Sequence, residues 1–449
     1  MLKKLSHIAD LLNAPLIGGD SGFRGVSSDT RTLKSGELFV ALRGPNFSGG
    51  EYLDTALKKG AVGAITDQLY KSSLPQIVVT DTLSALGMVA SAWRDQFDIP
   101  LMAITGSNGK TTVKEMVALI LAQLGPGTVT KGNLNNDIGV PLTLFNLSSG
   151  DRWAVIEMGA SALGEIARLS AIAQPTIALV NNVGSAHLGG FGSIRNIARA
   201  KGEIYAGLRS DGVALINCDL PQADDWVAMA TGREVQTYGS CCEPSLISAV
   251  IKSREPFEIS YKGESLKVEL PLPGEHNKMN ALAAAALAVQ AGASLGQVKN
   301  GLESMQAIPG RLESKPGRGG AVVIDDTYNA SPESMMRAVE VLSSMEGRRI
   351  LVVGDMGELG EDSPHLHKQI GVMAKSAGID SMYALGSSAS EYVSGFGDGA
   401  ALFEDSEKLV VALADELAMG RVILVKGSRF MKMEQIVRKI TVKEADDQS

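Results

Sequence analysis

The stretch LMAITGSNGKTTVKEMV at 101–117 sets an apolar strand, a glycine-rich turn, Lys-Thr-Thr and an amphipathic helix in the order a phosphate cradle requires. Gly106 and Gly109, with Ser107 and Asn108 between them, let the backbone turn its N–H groups onto phosphate oxygens. Lys110 supplies a point positive charge, the hydroxyl of Thr111 is a magnesium ligand type, and Thr112 continues the polar opening of the helix. Such a loop binds a nucleoside triphosphate. The full P-loop pattern is not met, because its first glycine would fall at Ile104; the match is to a shorter G-x-x-G-K-T version.

Three further residues stand where chemistry is available. Glu157 ends the apolar run WAVIEM at 153–158, and a carboxylate beside a phosphate loop either holds magnesium or caps a nearby helix. His187 lies in the glycine-rich loop NNVGSAHLGGFGS at 181–193, a setting that suits ligand duty more than core filling. Lys201 falls in SIRNIARAKGEIYAGL at 193–208, where a solvated Lys–Glu helix face is the plain reading. A lysine near its neutral form can instead react with carbon dioxide, and the resulting carbamate carries the opposite charge.

These residues need strands and helices to place them. From 101 to about 311 the pattern alternates strand, loop and helix, with short apolar strands at 101–105, 153–158, 176–182 and 212–217. The helix after the first strand has Val113, Met116, Val117, Ile120, Leu121 and Leu124 on one side. A polar, β-rich stretch at 236–270 precedes the alanine-rich helix at 280–292. Upstream, ELFVAL, GAVGAIT and LPQIVVTD read as strands of a small α/β unit, followed by a helix at 84–98. Downstream, strands are expected at 321–326, 349–355, 381–386 and 421–427, several ending on glycine. The domains are therefore placed at 1–83, 84–311 and 312–449.

A length of 449 residues agrees with three domains of ordinary size. The 50 glycines exceed the roughly 7% of average usage without a G-X-Y period, so the surplus belongs to turns and ligand loops. With 42 basic and 50 acidic residues the formal charge is -8, which argues against nucleic-acid coating but leaves room for a local anion site. Three cysteines, two of them the adjacent Cys241 and Cys242, indicate neither a disulfide framework nor a cysteine metal cage and fit a reducing cytoplasm. No signal peptide and no membrane span are expected.

Taken together, GSNGKTT, KGNLNNDIGVPLTL (131–144), IEMGAS (156–161), NNVGSAHLGGFGS, ARAKGEIY (199–206) and LPGEHNKMNALAA (272–284) resemble the central domain of the ATP-dependent Mur ligases. SSDTR (27–31), GELFVALRGPNF (36–47), DDTYNASPES (325–334), VVGDMGELG (352–360) and KGSRFM (426–431) look like the branch that joins D-alanyl-D-alanine to UDP-N-acetylmuramoyl-tripeptide. The resemblance runs through essentially the whole chain. It implies an α/β fold of three domains: a small N-terminal α/β domain, a central P-loop-type parallel-sheet ATPase domain and a C-terminal Rossmann-like α/β domain. It implies a monomeric, cytoplasmic carboxylate–amine ligase of peptidoglycan precursor synthesis that uses ATP and two magnesium ions through an acyl phosphate.

Carried over residue by residue, the resemblance gives Lys110 to the β,γ-phosphates, Thr111 and Glu157 to one magnesium, and His187 with a carbamate on Lys201 to a second. Asn135 and Asn136 look like substrate- or phosphate-side groups, Asn280 like an adenine contact, and Arg311 like the arginine that reaches the γ-phosphate. Asp326, Tyr328, Asn329 and Ser331 resemble a loop that closes over the nucleotide, with Ser331–Pro332 also suited to start a helix. Asp355, Glu358, His365, Lys426, Ser428 and Arg429 would serve the acceptor side. Ser28, Arg31, Asn46 and Phe47 look like the uridine-diphosphate and muramoyl-peptide side. There the chain departs from the family pattern, reading Ser48, Gly49, Gly50 where Asp-Gly-His is usual.

Overall fold

The computed structural model describes residues 4–44, 47–185, 188–252 and 256–442. Asn46 and His187 thus lie outside the described residues. Among the described residues, three large sheets follow one another along the chain, with a two-stranded ribbon of Arg43–Gly44 and Phe47–Ser48 beside the first.

The N-terminal unit starts with α1 (Leu5–Leu12) and carries β1 (Leu16–Ile17), β2 (Val26–Ser27), β3 (Leu38–Val40), β4 (Gly63–Thr66) and β5 (Gln76–Val78), in the sheet order β1-β5-β4-β3-β2. Helix α2 (Thr82–Arg94) follows, capped by the Asp81 carboxylate, which accepts from the N–H groups of Leu83 and Ser84. Leu86 and Val89 bury in the N-terminal core, whereas Ala90 packs into the next one, so α2 serves both units.

The central unit is built on β6 (Leu101–Thr105), α3 (Lys110–Leu121), β7 (Gly127–Val129), β8 (Trp153–Glu157), α4 (Glu165–Ala173), β9 (Ile177–Val180), α5 (Ile194–Gly202) and β10 (Val213–Asn217). The β-rich stretch resolves into β11 (Glu234–Gly239), β12 (Ile247–Val250), β13 (Phe257–Tyr261) and β14 (Glu264–Val268), and α6 (Glu275–Gln290) follows. The order is β14-β13-β12-β11-β10-β9-β6-β8-β7, parallel from β7 to β12 and antiparallel beyond. Each central strand is buried on both faces, which is why it reads as consecutive apolar residues rather than as an alternation. The chain leaves β6 between β8 and β9, so the phosphate loop opens at the point where the strand order reverses, flanked by the ends of both neighbours. Helix α3 buries Val113, Met116, Val117, Ile120 and Leu121, while Leu124, expected on the same stripe, lies past its end and is exposed.

One cysteine expectation needs correction. Cys218, just after β10, is bonded to Cys242, just after β11, across a Cα–Cα distance of 6.0 Å, and Cys241 is exposed and free. The adjacency of Cys241 and Cys242 hid this pairing, because only the side-by-side placement of β10 and β11 brings position 218 to position 242.

The C-terminal unit contains β15 (Glu313–Pro316), β16 (Val322–Asp326), α7 (Pro332–Ser343), β17 (Arg348–Gly354), α8 (Ser363–Ser376), β18 (Ser381–Leu385), β19 (Ala400–Phe403) and β20 (Arg421–Lys426). Its order is β15-β16-β20-β17-β18-β19, antiparallel only at the β15 edge. The carboxyl ends of β16 and β20 face the phosphate loop across a cavity shared with the central unit. No helix among the described residues is long and apolar enough to cross a membrane.

Candidate functional site

The cavity between the central and C-terminal units has a volume of about 1180 Å³. Its floor is the phosphate loop. Gly109 has φ 76°, and a Cβ there would stand 2.4 Å from Asn280 Oδ1, so both backbone conformation and space require glycine. Ser107 and Asn108 are fastened to the end of β9: the Ser107 hydroxyl accepts from Gly184 N–H (2.9 Å), and the Asn182 Oδ1 accepts from Asn108 N–H (2.9 Å). The Asn181 amide donates to the Asn108 carbonyl (3.0 Å) and to Asn280 Oδ1 (2.9 Å). Asn280 lines the cavity and at the same time braces the loop from beneath.

Lys110 Nζ folds back to donate to the Gly106 carbonyl (2.6 Å). Burial lowers its pKa; Glu157 opposes that shift and Arg311 adds to it. Thr111 Oγ1 donates to Glu157 Oε2 (2.9 Å), Asn135 Nδ2 donates to Glu157 Oε1 (2.8 Å), and Thr130 Oγ1 accepts from the Glu157 backbone N–H (3.0 Å). Glu157 is only 2% exposed, and its oxygens accept these bonds from neutral donors. A buried carboxylate so placed beside a threonine hydroxyl fits a hard divalent cation in donor type and in charge. Thr112 and Asn136 also line the cavity, although Asn136 Oδ1 accepts from Gly139 N–H (2.9 Å) and so starts a short helix.

Lys201 lies on α5, 2% exposed and outside the cavity lining. Burial, then the charge of Lys110, pushes its pKa down to about 7, with Glu165 acting the other way. The expected solvated Lys–Glu face is therefore overturned. Ile197, Ala198, Ala200 and Lys201 form the buried side of α5, while Glu203 turns to the start of α4 and accepts from Gly164 N–H (2.9 Å).

The roof belongs to the C-terminal unit, and Arg311 stands at the junction that leads into it. Arg311 donates to Thr111 Oγ1 (3.0 Å), and its guanidinium lies 4.1 Å from the ring centre of Tyr328. Lys426 Nζ is 2.6 Å from Asp326 Oδ2 and donates to the Asn329 carbonyl (2.9 Å). Burial raises the pKa of Asp326, opposed by Lys426. Ser331 Oγ donates to Asn108 Oδ1 (3.1 Å), a direct bond between the roof and the phosphate loop. Glu358, Ser428 and Arg429 line the same cavity.

Other expected site residues stand elsewhere. Asp355 is not in the lining; its carboxylate accepts from the N–H groups of Ser387 (2.9 Å) and Ser388 (3.0 Å), which makes it a turn anchor. His365 is exposed on α8, whereas the buried His367 accepts from Met356 N–H (2.9 Å). Ser28, Arg31 and Phe47 lie on the N-terminal unit and do not line the cavity. Arg31 pairs with Asp29 at 2.6 Å, and Phe47 is 57% exposed. Next to Phe47, a Cβ at Gly50 would strike the Tyr70 ring, so the missing histidine position is packed shut by an aromatic side chain.

Sequence reasoning assigned no role to Asn181, Asn182, His276, Asn277 or Arg337. His276, Asn277 and Arg337 line the cavity, and burial together with the charges of Arg337 and Lys426 pushes the His276 pKa down to about 4. Strand-end position was the available signal for the two asparagines; the other three depend on how the units meet.

Residues 104–288 match the Mur ligase middle domain, and residues 310–429 match the Mur ligase glutamate ligase domain. The chain is 43% identical over 442 residues to the UDP-N-acetylmuramoyl-tripeptide–D-alanyl-D-alanine ligase of Escherichia coli K12, covering 97% of each. Its fold superimposes on a MurF crystal structure from Acinetobacter baumannii with a TM-score of 0.90 at 33% identity, covering 96% of this chain and 97% of that one. MurF ligase from Thermotoga maritima, solved in complex with ADP, gives a TM-score of 0.82 at 29% identity, covering 93% and 96%. Matches of this extent, over a cavity with this phosphate loop, place the chain in the Mur ligase family, on the branch of the UDP-N-acetylmuramoyl-tripeptide–D-alanyl-D-alanine ligases.

Proposed function

We propose that this chain is the ATP-dependent ligase that joins D-alanyl-D-alanine to UDP-N-acetylmuramoyl-tripeptide in peptidoglycan precursor synthesis, releasing ADP and phosphate. The observation that carries the reading is the meeting of Lys110, Thr111, Glu157 and Arg311 beneath a roof from the C-terminal unit.

A carboxylate is a poor acyl donor, and transfer of the ATP γ-phosphoryl group to it provides a leaving group. The Gly106–Gly109 loop cradles the phosphates, and Lys110 and Arg311 oppose the charge that spreads over the transferring oxygens. The dipeptide amine then attacks the acyl carbon, the C–N bond forms, the C–O bond to phosphate breaks, and the proton lost by the nitrogen leaves with the phosphate as hydrogen phosphate. Ser331, Tyr328 and Arg311 hold the roof against the loop, which keeps water from the acyl phosphate. Thr111 and Glu157 would hold one magnesium ion, and His187 with a carbamate on Lys201 a second; magnesium supplies charge neutralisation of the phosphoryl oxygens. The low pKa of Lys201 supports the carbamate, because only the neutral amine adds carbon dioxide.

Asn280 and Asn329 are assigned to the nucleotide, with Asp326 setting Lys426. Asn135, Asn136, Glu358, Lys426, Ser428 and Arg429 are assigned to the substrate and acceptor sides. Ser28, Arg31, Asn46 and Phe47 are assigned to the uridine nucleotide. The division into 1–83, 84–311 and 312–449 follows these tasks, and the reaction is placed in the cytoplasm on a monomer.

The test is phosphate release from ATP and magnesium with UDP-N-acetylmuramoyl-tripeptide, with and without D-alanyl-D-alanine. Release that depends on the dipeptide, with a product of pentapeptide mass, is expected; release without that dependence refutes the reading.

A further inference from the structure

The loop that leaves β9 is gripped from the C-terminal unit on both flanks of residues 186–187. On one side Ser185 N–H donates to Glu333 Oε1 (2.5 Å); on the other, Gly189 N–H donates to the Glu358 carbonyl (3.1 Å). The first contact is made by a side chain. Glu333 Oε2 is also buried and accepts no hydrogen bond, with Arg337 one turn further along α7 attracting the carboxylate's charge, so the backbone amide of Ser185 is the group that Glu333 holds by hydrogen bonding. A Cβ on Gly184 would approach the Glu333 carboxyl carbon to 3.0 Å, so the approach is close enough for the glycine to matter.

The same loop supports the phosphate cradle. Gly184 bonds the Ser107 hydroxyl, Asn182 bonds Asn108, and Asn181 bonds Asn108 and Asn280. In the chain it runs on to His187. Glu333 itself sits in the first turn of α7, two residues after Ser331, which bonds Asn108 directly.

We infer that Glu333 is a positioning residue: its hold on Ser185 couples docking of the C-terminal unit to the loop that braces the phosphate cradle. The inference rests on the function proposed above for its kinetic readout only. Two roles must be separated. A carboxylate in a first helical turn also favours the helix dipole, and that role needs the charge but not the reach. The positioning role needs an acceptor at full reach but not the charge.

Glu333→Gln keeps the acceptor at full length, whereas Glu333→Asp keeps the charge and retracts it by a methylene. Amide hydrogen exchange over 181–185 in the full-length protein, free and with a non-hydrolysable ATP analogue and magnesium, and kcat in the ligase assay, are measured for wild type and both variants. Positioning predicts that Gln retains protection and most of kcat. Asp should lose protection at Ser185 and about tenfold in kcat, the scale of a lost orienting contact. Protection and kcat retained by Asp but lost by Gln, or unchanged in both, would overturn it. If wild type shows no dipeptide-dependent turnover, the functional reading has failed, and the exchange data alone decide the Glu333–Ser185 coupling.

Discussion

Lys201 shows how far a residue's chemistry depends on its surroundings. An ammonium group buried beside Lys110 loses solvation and meets a like charge, and both effects favour the neutral amine. The proposed carbamate would then replace a repelled cation by an anion suited to metal binding. Lys201→Ala should lower turnover by at least about 10²-fold, the scale seen when a preorganised charged group is removed from an active site. A short carboxylic acid added to the variant should restore part of it, measured as dipeptide-dependent phosphate release; wild-type turnover in the variant refutes the carbamate. This residue was illegible from local pattern, because IRNIARAKGE carries charge around the helix and does not reveal that Lys201 turns inward while Glu203 turns to α4. Lys110, Thr111 and Glu157 were legible, since the first two open the helix that follows a strand and a glycine turn and the third ends an apolar strand, all part of the sequence pattern. His276 and Arg337 were not, because their value comes from two units meeting.

Among the elements, α7 combines two functions at its first residues. Ser331 Oγ accepts from Ser334 N–H (3.4 Å) and Ser334 Oγ accepts from Ser331 N–H (2.8 Å), a reciprocal cap, while Ser331 also donates to Asn108. The two functions separate by substitution. Ser331→Ala should cost about 1 kcal/mol of stability, and Ser331→Gly only a few tenths. Both delete the bond to Asn108, so both should lower turnover to a similar degree. Thermal unfolding and kcat measured side by side check this; turnover that tracks stability would reduce Ser331 to a cap. The Ser-Pro pair announced this helix from sequence, and the parallel strands announced themselves through burial on both faces. The stretch at 236–270 showed its β character but not its separate strands or their order. Its four strands are short and partly exposed, and its order in the sheet, like the Cys218–Cys242 bond, is fixed by pairing between strands distant in sequence.

At the scale of the whole molecule, a chain of formal charge -8 must hold two anionic substrates in one cavity. It gathers Lys110, Arg311, Arg337 and Lys426 there, but from different units, so the positive field is complete only when the units are docked. Among the described residues, the docking contacts near the phosphate loop are few and polar: Ser331 to Asn108, Glu333 to Ser185, and Glu358 to Gly189. Contacts of this kind between domains favour relative motion unless ligands add to them. ATP and the UDP-linked peptide should therefore shift the population toward the docked arrangement, since each makes differential contacts to it. Small-angle scattering of the full chain with a non-hydrolysable ATP analogue, magnesium and UDP-N-acetylmuramoyl-tripeptide should give a smaller radius of gyration than the free protein. The value should stay above the roughly 22 Å of a single compact body of this length. An unchanged radius with both ligands bound would show that docking is already complete in the free chain and that closure does not gate the chemistry.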